Sequence, residues 1–375
     1  MKTINWAAQR ALFPALKKYT FLNAAGGAPL ARPVAEAGAR YYREALEHGD
    51  AYWDRWLKRL EETRSRLASF INADRREVAF TLNTSHGMSL VAGALKGRGA
   101  VLTMEDEFPS TTLPWLNAGF KLKFAQPENG VYSVENISRL LTKDVKILVT
   151  SYVQYRTGFR QDLAALGRLC RRRGVLFVVN ATQALGAMPV DVKKARIDFM
   201  VFSSFKWTMA GYGAAGLYAA KGRLAGLRFP EAGWRSVAAP EKMDNRAARM
   251  KPEASAVEAG CLHFPSIFAL GAALELLGGL GVKNIQARIY GLNDYLLKNL
   301  KAAGLETATP LEPRCRSGIT IIKARRPAAA VEKLAAMNIM VSARGAGIRI
   351  ALHFYNNSRD IDRLMAGLKK IKREL

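Results

Sequence analysis

Short apolar segments alternate with helix-like segments between about residues 78 and 220 of this chain. Several of these segments are hydrophobic at consecutive positions, which is typical of strands that helices cover on both faces. Strand and helix in alternation predict an α/β fold, with a mostly parallel sheet sandwiched between helices. The predicted strands are residues 77–82, 100–104, 122–126, 145–151, 175–180, 198–203 and 215–220.

The pattern changes after about residue 250. Long helical segments at 266–281 and 283–304 precede a compact tail that is long enough for a small α+β domain. The 375 residues thus favour a large domain with a smaller one attached. The tail is predicted to contain strands near 318–324 and 347–352 and helices near 327–337 and 358–373.

The chain is strongly basic. Lys and Arg number 57 against 31 Asp and Glu, which gives a formal charge of +26. Such a charge favours nucleic acid, acidic membrane surfaces or anionic ligands as partners. However, the basic residues are spread out, and no basic run is interleaved with aromatic residues at the density that a stacking platform needs. We therefore expect a generally basic surface and no dedicated nucleic-acid site.

Export and membrane insertion are not expected. The sequence has no run of about 18 uninterrupted apolar residues, and its first 20 residues lack an apolar core and a cleavage site. The three cysteines, Cys170, Cys261 and Cys315, have neither metal-ligand nor redox spacing. We therefore predict a cytoplasmic protein without a bound metal.

Polar residues follow the ends of several predicted strands. Ligands of open α/β sheets bind beyond the carboxyl ends of the strands, so these residues are candidates for a site. Thr84 and Ser85 lie where a helix begins after the first predicted strand. The N–H groups and hydroxyls at such a helix start bind anions, phosphate above all, although ordinary N-capping is the alternative explanation.

Asn180 and Lys206 follow two consecutive apolar strands, and Gln183 lies three residues after Asn180. A buried amide needs a partner, which is either a local backbone group or a ligand. A buried lysine has a lowered pKa and can form a Schiff base with a carbonyl cofactor, whereas a lysine that extends into solvent has no such role. Arg349 interrupts an apolar strand of the tail, which suggests capture of a carboxylate or an ion pair with a nearby acid.

Taken together and in this order, these groups resemble the class V aminotransferase family of pyridoxal-phosphate enzymes. The resemblance is strongest over residues 175–217, which are similar to the family's strand, Asp-x-x-Gln-x-x-Gly, strand, Ser-x-His-Lys-Trp and Gly-rich turn. The segments EFPSTTLPW (107–115), GWRSV (233–237) and RGAGIRIALHFYN (344–356) look most like the branch that contains isopenicillin N epimerase, beside the cysteine desulfurase-like branch. Matching segments are EDEFPSTTLPW (105–115), SYVQYRTGFRQDL (151–163), EAGWRSV (231–237) and EAGCLHF (258–264).

The resemblance implies a fold type I enzyme that binds pyridoxal 5'-phosphate (PLP) and works as a homodimer on a small amino-acid-like substrate. Residues 1–20 would pack on the small domain, residues 21–280 would form the large cofactor-binding domain, and residues 281–375 would form a linker helix and the small domain. The implied cofactor contacts are Lys206 for the Schiff base, Thr84, Ser85 and Ser203 for the phosphate, Gln183 for the phenolic oxygen, Asn180 for the ring nitrogen, Phe108 for stacking, and Gly260 for the phosphate across the dimer. Arg349 would bind the substrate carboxylate.

The chain departs from the family pattern at three positions in or beside these site residues. Asn180 stands where the family usually has the Asp that pairs with the ring nitrogen, and a neutral amide makes the ring a weaker electron sink. Phe205 precedes the lysine in place of histidine, and Cys261 lacks the hydroxyl of the family's threonine. The loop before the Arg349 strand has no cysteine, which disfavours a sulfur-donating cysteine desulfurase.

These observations predict a PLP-dependent enzyme that acts at the α-carbon, or at the β-carbon, of an amino acid. Epimerisation, elimination and transamination all remain open, although the neutral amide makes ordinary transamination the most doubtful. The alternatives are a lyase similar to cysteine desulfurase or selenocysteine lyase, and a catalytically degenerate PLP-fold binding protein.

Overall fold

The computed structural model describes residues 4–246, 249–345 and 347–375. The helices are α1 (Trp6–Ala11), α2 (Arg32–His48), α3 (Trp53–Phe70), α4 (Thr84–Ala94), α5 (Pro109–Asn117), α6 (Val134–Leu140), α7 (Leu163–Arg173), α8 (Lys221–Leu224), α9 (Phe264–Leu280), α10 (Val282–Ala302), α11 (Pro327–Ala336) and α12 (Ser358–Lys370). The strands are β1 (Thr20–Phe21), β2 (Val78–Thr81), β3 (Ala100–Met104), β4 (Leu122–Ala125), β5 (Val145–Ser151), β6 (Leu176–Asn180), β7 (Phe199–Ser203), β8 (Ala215–Ala219), β9 (Ile319–Lys323), β10 (Ile339–Met340), β11 (Ser342–Arg344) and β12 (Gly347–Ala351).

The large sheet has the order β2-β8-β7-β6-β5-β3-β4. Strands β7, β6, β5, β3 and β4 are parallel to one another, and β8 runs antiparallel between β2 and β7. The predicted α/β fold with a mostly parallel sheet is therefore confirmed. All seven strands predicted for this sheet are present, each within one residue at either end.

Helices cover both faces of this sheet, which explains the continuous apolar strands. Every residue of β6, β7 and β8 is buried. The two faces belong to two apolar clusters, one containing Phe177 and the other Val178, as expected for consecutive residues of a strand. Gly174 ends α7 in the left-handed conformation, which is typical of glycine at the end of a helix.

A second, three-stranded sheet has the order β11-β12-β9. It packs with α10, α11 and α12 around its own apolar cluster, and the strands and helices predicted for the tail are confirmed. The chain start also joins this region, because β1 pairs in parallel with β10. Arg10 donates to both carboxylate oxygens of Asp360 at 2.7 and 3.0 Å. The predicted domain boundaries, including the packing of residues 1–20, stay a prediction.

Within the described residues, no single helix is long and apolar enough to cross a membrane. By length and composition alone, α9 and α10 pass that test together, but they are bent by 77°.

Candidate active site

A cavity of about 160 Å³ lies at the carboxyl edge of the large sheet. Strands β6 and β7 are parallel and end there, and β2 ends at the same edge because β2 and β7 are both antiparallel to β8. This topology brings together residues that are distant in the sequence. The cavity wall contains seven of the predicted site residues, namely Thr84, Ser85, Phe108, Asn180, Gln183, Ser203 and Lys206.

One end of the cavity is rich in hydroxyl groups. The backbone N–H of Thr84 donates to Ser203 Oγ at 3.0 Å, and the two side-chain hydroxyls are 2.7 Å apart. The hydroxyl of Thr182 lies 2.9 Å from that of Thr84 and accepts a hydrogen bond from the backbone N–H of Ser203. Asn83 caps α4 by accepting from His86 N, so N-capping does not account for Thr84. Hydroxyls at a helix N-terminus form a site suited to phosphate.

Lys206 lies in the turn after β7, between two aromatic rings. Its Nζ is 5.4 Å from the ring centroid of Phe108 and 5.4 Å from that of Phe205. Within the described residues, no carboxylate lies within 4.0 Å of this amine. Burial, followed by the positive charges of Arg349 and Arg344, lowers the pKa of Lys206 to about 7. A large fraction of the amine is therefore neutral and nucleophilic near neutral pH.

The Asn180 amide has a fixed orientation. Its Oδ1 accepts a hydrogen bond from the backbone N–H of Thr182 at 3.0 Å, so the nitrogen occupies the other side of the amide. Nδ2 donates to Thr111 Oγ1 at 2.9 Å. Because an amide nitrogen carries two protons, Asn180 keeps one N–H for a ligand in the cavity.

The Gln183 amide is also fixed, by the residue that follows Lys206. Gln183 Oε1 accepts from Trp207 Nε1 at 2.8 Å, and its Nε2 donates one proton to Ala25 O at 3.0 Å. His353 holds the backbone of the same turn, because its Nε2 donates to Trp207 O at 2.9 Å. Burial lowers the pKa of His353 to about 4, so this histidine stays neutral. The second Nε2 proton of Gln183 is available to a ligand.

Arg349 lies beside the cavity and does not form its wall. Its side chain is 1% exposed; Nη1 donates to Tyr155 O at 3.2 Å, Nη2 approaches Asn23 Oδ1 at 3.5 Å, and Nε has no partner. Tyr155 lines the cavity, so Arg349 contacts a residue of the cavity wall without being part of that wall. Burial and the charge of Arg344 lower the pKa of Arg349 to about 9. Over the described ranges it has no ion pair with an acid, which leaves carboxylate capture as the better explanation.

Gly260 is apart from this cavity. It is not among the lining residues, and a Cβ added to it would contact nothing within 4 Å. The neighbouring Cys261 is exposed. A contact between Gly260 and a phosphate therefore requires a second copy of the chain, and the role implied for this residue stays a prediction.

Several residues at the site were not predicted from the sequence. Thr182 and Ser151 line the cavity and come at the ends of β6 and β5. Because ligands of open α/β sheets bind beyond the carboxyl ends of the strands, these two residues could have been predicted as well. Ser151 is held by Glu107, which accepts from its backbone N–H at 2.6 Å. Burial raises the pKa of this Glu107 carboxyl. Tyr155 lies in a loop, where the sequence offers no comparable signal.

The donors of this cavity fit PLP. The hydroxyl groups at the start of α4 suit its phosphate, and the Asn180 N–H suits the ring nitrogen as a hydrogen-bond donor. The neutral amine of Lys206 suits its aldehyde, and the exposed ring of Phe108 offers a face for stacking. An anion site, a hydrogen-bond donor and an amine thus line one cavity.

Comparisons with known proteins show the family of the chain. The family model "Aminotransferase class-V" matches residues 20–364. The chain is 26% identical over 355 residues to an uncharacterized aminotransferase, YcbU, of Bacillus subtilis, with 94% of each chain covered. It is also 26% identical over 394 residues to a probable cysteine desulfurase of Methanothermobacter thermautotrophicus, with 96% of each covered. The solved complex of the cystine C–S lyase C-DES with its product cysteine persulfide has a TM-score of 0.89 at 22% identity, covering 95% of this chain and 98% of the other. This chain therefore belongs to the class V aminotransferase family, and it is a PLP-dependent enzyme.

Proposed function

We propose that this enzyme moves a proton at the α-carbon of an amino acid, with Lys206 as the base. The observation that carries the proposal is the state of the Lys206 amine, which has a pKa of about 7 and lies in the same cavity as a phosphate-type anion site. When bound, PLP supplies an aldehyde that joins an amine and a ring that withdraws electrons from the α-carbon. The chain supplies the base, the groups that orient the substrate and the charges that bind it.

The two ends of the site have different tasks in this proposal. Thr84, Ser85 and Ser203 hold the phosphate, and Gln183 donates its free N–H to the phenolic oxygen. Arg349 binds the α-carboxylate, since it is buried, has an unpartnered Nε and has no acid beside it in the described ranges. The substrate is thereby held at both ends, which orients the bond to the α-proton toward Lys206.

The amide of Asn180 favours some outcomes over others. Its oxygen is bound by Thr182 N, so it presents an N–H and not a lone pair to the cofactor. A donor at this position stabilises an unprotonated ring nitrogen, and such a ring is the weaker electron sink. We therefore favour epimerisation or β-elimination over transamination, since these two outcomes need less stabilisation of negative charge in the ring.

A lyase that breaks a carbon–sulfur or carbon–selenium bond is the second candidate, because the similar proteins include a probable cysteine desulfurase and a C–S lyase. A persulfide-forming cysteine is the feature that such a desulfurase would need near the substrate. Cys170 and Cys315 are buried, Cys261 is exposed, and none of the three lines the cavity. These positions favour elimination with direct release of the leaving group over transfer to an enzyme thiol.

Exchange of the α-proton tests the proposal directly. The holoenzyme is incubated in heavy water with each of a panel of amino acids, and deuterium at the α-carbon and any product are measured by mass spectrometry. We expect exchange with at least one amino acid, and its loss together with that of a borohydride-trapped cofactor adduct in Lys206→Ala. Tight PLP binding without exchange for any amino acid would instead indicate a degenerate binding protein. An adduct that survives in Lys206→Ala would show that another lysine carries the cofactor.

A further inference from the structure

The end of the site formed by the small sheet has an excess of positive charge. Arg349 and Arg344 both come from this sheet, and neither forms an ion pair with an acid in the described part of the chain. The only polar contact of the Arg344 guanidinium among these residues is with Ala343 O, at 2.6 Å. Arg156, whose side chain lies beside Gly345, is different because it has a carboxylate partner, Asp106, at 3.5 Å. One α-carboxylate would therefore neutralise only one of the two free guanidinium groups.

The strand register places the two arginines on the same face. In the antiparallel pair β11–β12, Ser342 is opposite Arg349 and Arg344 is opposite Gly347. Residues opposite each other share a face, as do residues two apart in one strand, so Arg344 is a diagonal neighbour of Arg349. Ser342 Oγ donates to Asn23 Oδ1 at 3.1 Å, and Arg349 Nη2 approaches the same oxygen at 3.5 Å. The face that carries Arg344 is therefore the face turned toward the site.

The lowered pKa values of two site residues also indicate that Arg344 lies close to the site. Burial is the largest cause of the lowered pKa of both Lys206 and Arg349, and the charge of Arg344 contributes to both. Arg344 is thus close enough to act on the base and on the carboxylate-binding arginine. Arg344 does not line the cavity itself, but only part of its side chain is buried, so its guanidinium is accessible to an anionic group. The phosphate end has its own donors at α4 and does not need these cations.

We propose that Arg344 binds a second anionic group, at the side-chain end of the substrate, and that the enzyme prefers amino acids whose side chain is acidic. This inference rests on the proposed function, since it assigns the α-carboxylate to Arg349. The guanidinium suits carboxylate, sulfinate and phosphate groups alike, because all of them present two oxygens in one plane. A neutral side chain leaves Arg344 without a partner.

A binding experiment tests the second anion site without turnover. Succinate and succinamate have similar shapes, and succinamate has an amide where succinate has its second carboxylate. Their affinities for the holoenzyme are measured by calorimetry. We expect succinate to bind at least about 10-fold more tightly than succinamate, as for a charge-assisted hydrogen bond. This ratio of affinities should fall close to one in Arg344→Gln. Arg344→Lys should restore part of it, and Arg156→Gln, the matched control, should leave it unchanged.

Substrate preference provides the second measurement. Rates of α-proton exchange are compared for aspartate with asparagine and for cysteine sulfinate with cysteine. We expect the acidic member of each pair to have the higher kcat/KM, with a loss of that preference in Arg344→Gln. Equal binding of succinate and succinamate by the unmodified enzyme, or an equal loss of both in Arg344→Gln, would overturn the inference. Exchange of neutral amino acids with no preference for acidic ones would overturn the inference about Arg344 and leave the proposed function intact. A preference for succinate without exchange of any amino acid would support the inference and contradict the catalytic role of Lys206.

Discussion

The side chain of Lys206 is costly to bury in its charged form. Its pKa falls from the ordinary 10.5 of lysine to about 7 in the folded apo-protein. Between these two pH values the unfolded chain binds a proton that the folded chain does not. The free energy of unfolding therefore decreases as pH falls from 10.5 to 7. Lys206→Met should therefore raise the free energy of unfolding of the apo-protein at pH 6, by about 2 to 3 kcal/mol after allowance for the solvent in the cavity.

The same substitution should have a much smaller effect near pH 10, because this pH is close to the pKa of 10.5 of the unfolded lysine, so the neutral form that the folded chain holds costs little free energy to reach. Denaturant unfolding of the apo-protein at the two pH values measures the difference, and other titrating groups cancel between the variant and the parent. Lys123→Met is a suitable control, because Lys123 pairs at the surface with Asp144. An equal effect of Lys206→Met at both pH values would mean that this amine is not desolvated.

Asn180 determines the protonation of the ring nitrogen if it contacts the cofactor as proposed. The amide donates and so favours the unprotonated nitrogen, whereas the carboxylate in Asn180→Asp would accept and favour the protonated form. Nuclear magnetic resonance of holoenzyme made with PLP isotopically labelled in the ring nitrogen distinguishes the two. We expect a neutral signal for the parent and a protonated signal for Asn180→Asp. Asn83→Asp adds the same charge at the α4 end and should leave the signal neutral; a protonated signal in the parent would contradict the amide orientation.

Several site residues were predictable because they share one simple signal. Thr84, Asn180 and Lys206 are polar residues that follow predicted strands, where a buried polar side chain needs a partner, whereas Ser203 was implied only by the resemblance to the family. Arg344 has no such signal, because it lies on a strand of only three residues. The pairing that sets it beside Arg349 depends on register, which the sequence does not reveal.

At the scale of elements, Gly186 fixes the distance between two turns that form the site. It has a φ of +100°, and a Cβ added there would lie 2.3 Å from Trp207 O. The close approach lets Trp207 donate to Gln183, so that the turn after β6 and the turn of Lys206 support each other. Gly186→Ala should reduce the free energy of unfolding by about 2 to 4 kcal/mol and should weaken PLP binding.

Gly222→Ala is the matched control. This glycine lies in α8 and has nothing within 4 Å of an added Cβ, so we expect a change within about 0.5 kcal/mol or a slight gain. Denaturant unfolding and PLP titration of both variants give the comparison. Gly186→Ala with parental stability and PLP affinity would mean that the two turns can separate without consequence.

The longer strands were predicted well, and the shortest ones were not. The seven strands of the large sheet were located because they are mainly apolar segments with a turn on either side. Strands β1, β10 and β11 have only two or three residues, too few for a periodic pattern. The antiparallel direction of β8 was also not predicted, because the direction of a strand depends on its neighbours in the sheet and not on its own residues.

For the whole molecule, we predict a homodimer in which the second copy completes the phosphate end. Gly260 and Cys261 do not line their own chain's cavity, yet the resemblance assigns this segment to the phosphate. Large apolar side chains are exposed near the cavity as well: Leu82 follows β2, Leu113 lies on α5, and Tyr212 stacks on Phe205 at 4.3 Å. We expect sedimentation equilibrium to give twice the chain mass of 41.2 kDa. PLP affinity should fall on dilution into the monomer range, and a monomer with undiminished affinity would contradict the prediction.

Asn23 and Arg349 are in contact at one end of the site although they are 326 residues apart in the chain. During synthesis, Asn23 leaves the ribosome long before its partner exists. Apart from Gly260 of a second copy, the residues proposed for the phosphate, the ring and the aldehyde lie between 84 and 206, so one chain has made them when little more than half of it has been synthesised. The carboxylate end must wait for β12 to pair with β9 and for the chain start to dock on it. A nascent or truncated chain is therefore expected to acquire its cofactor-binding half first, with no means of holding an amino acid until translation has nearly finished.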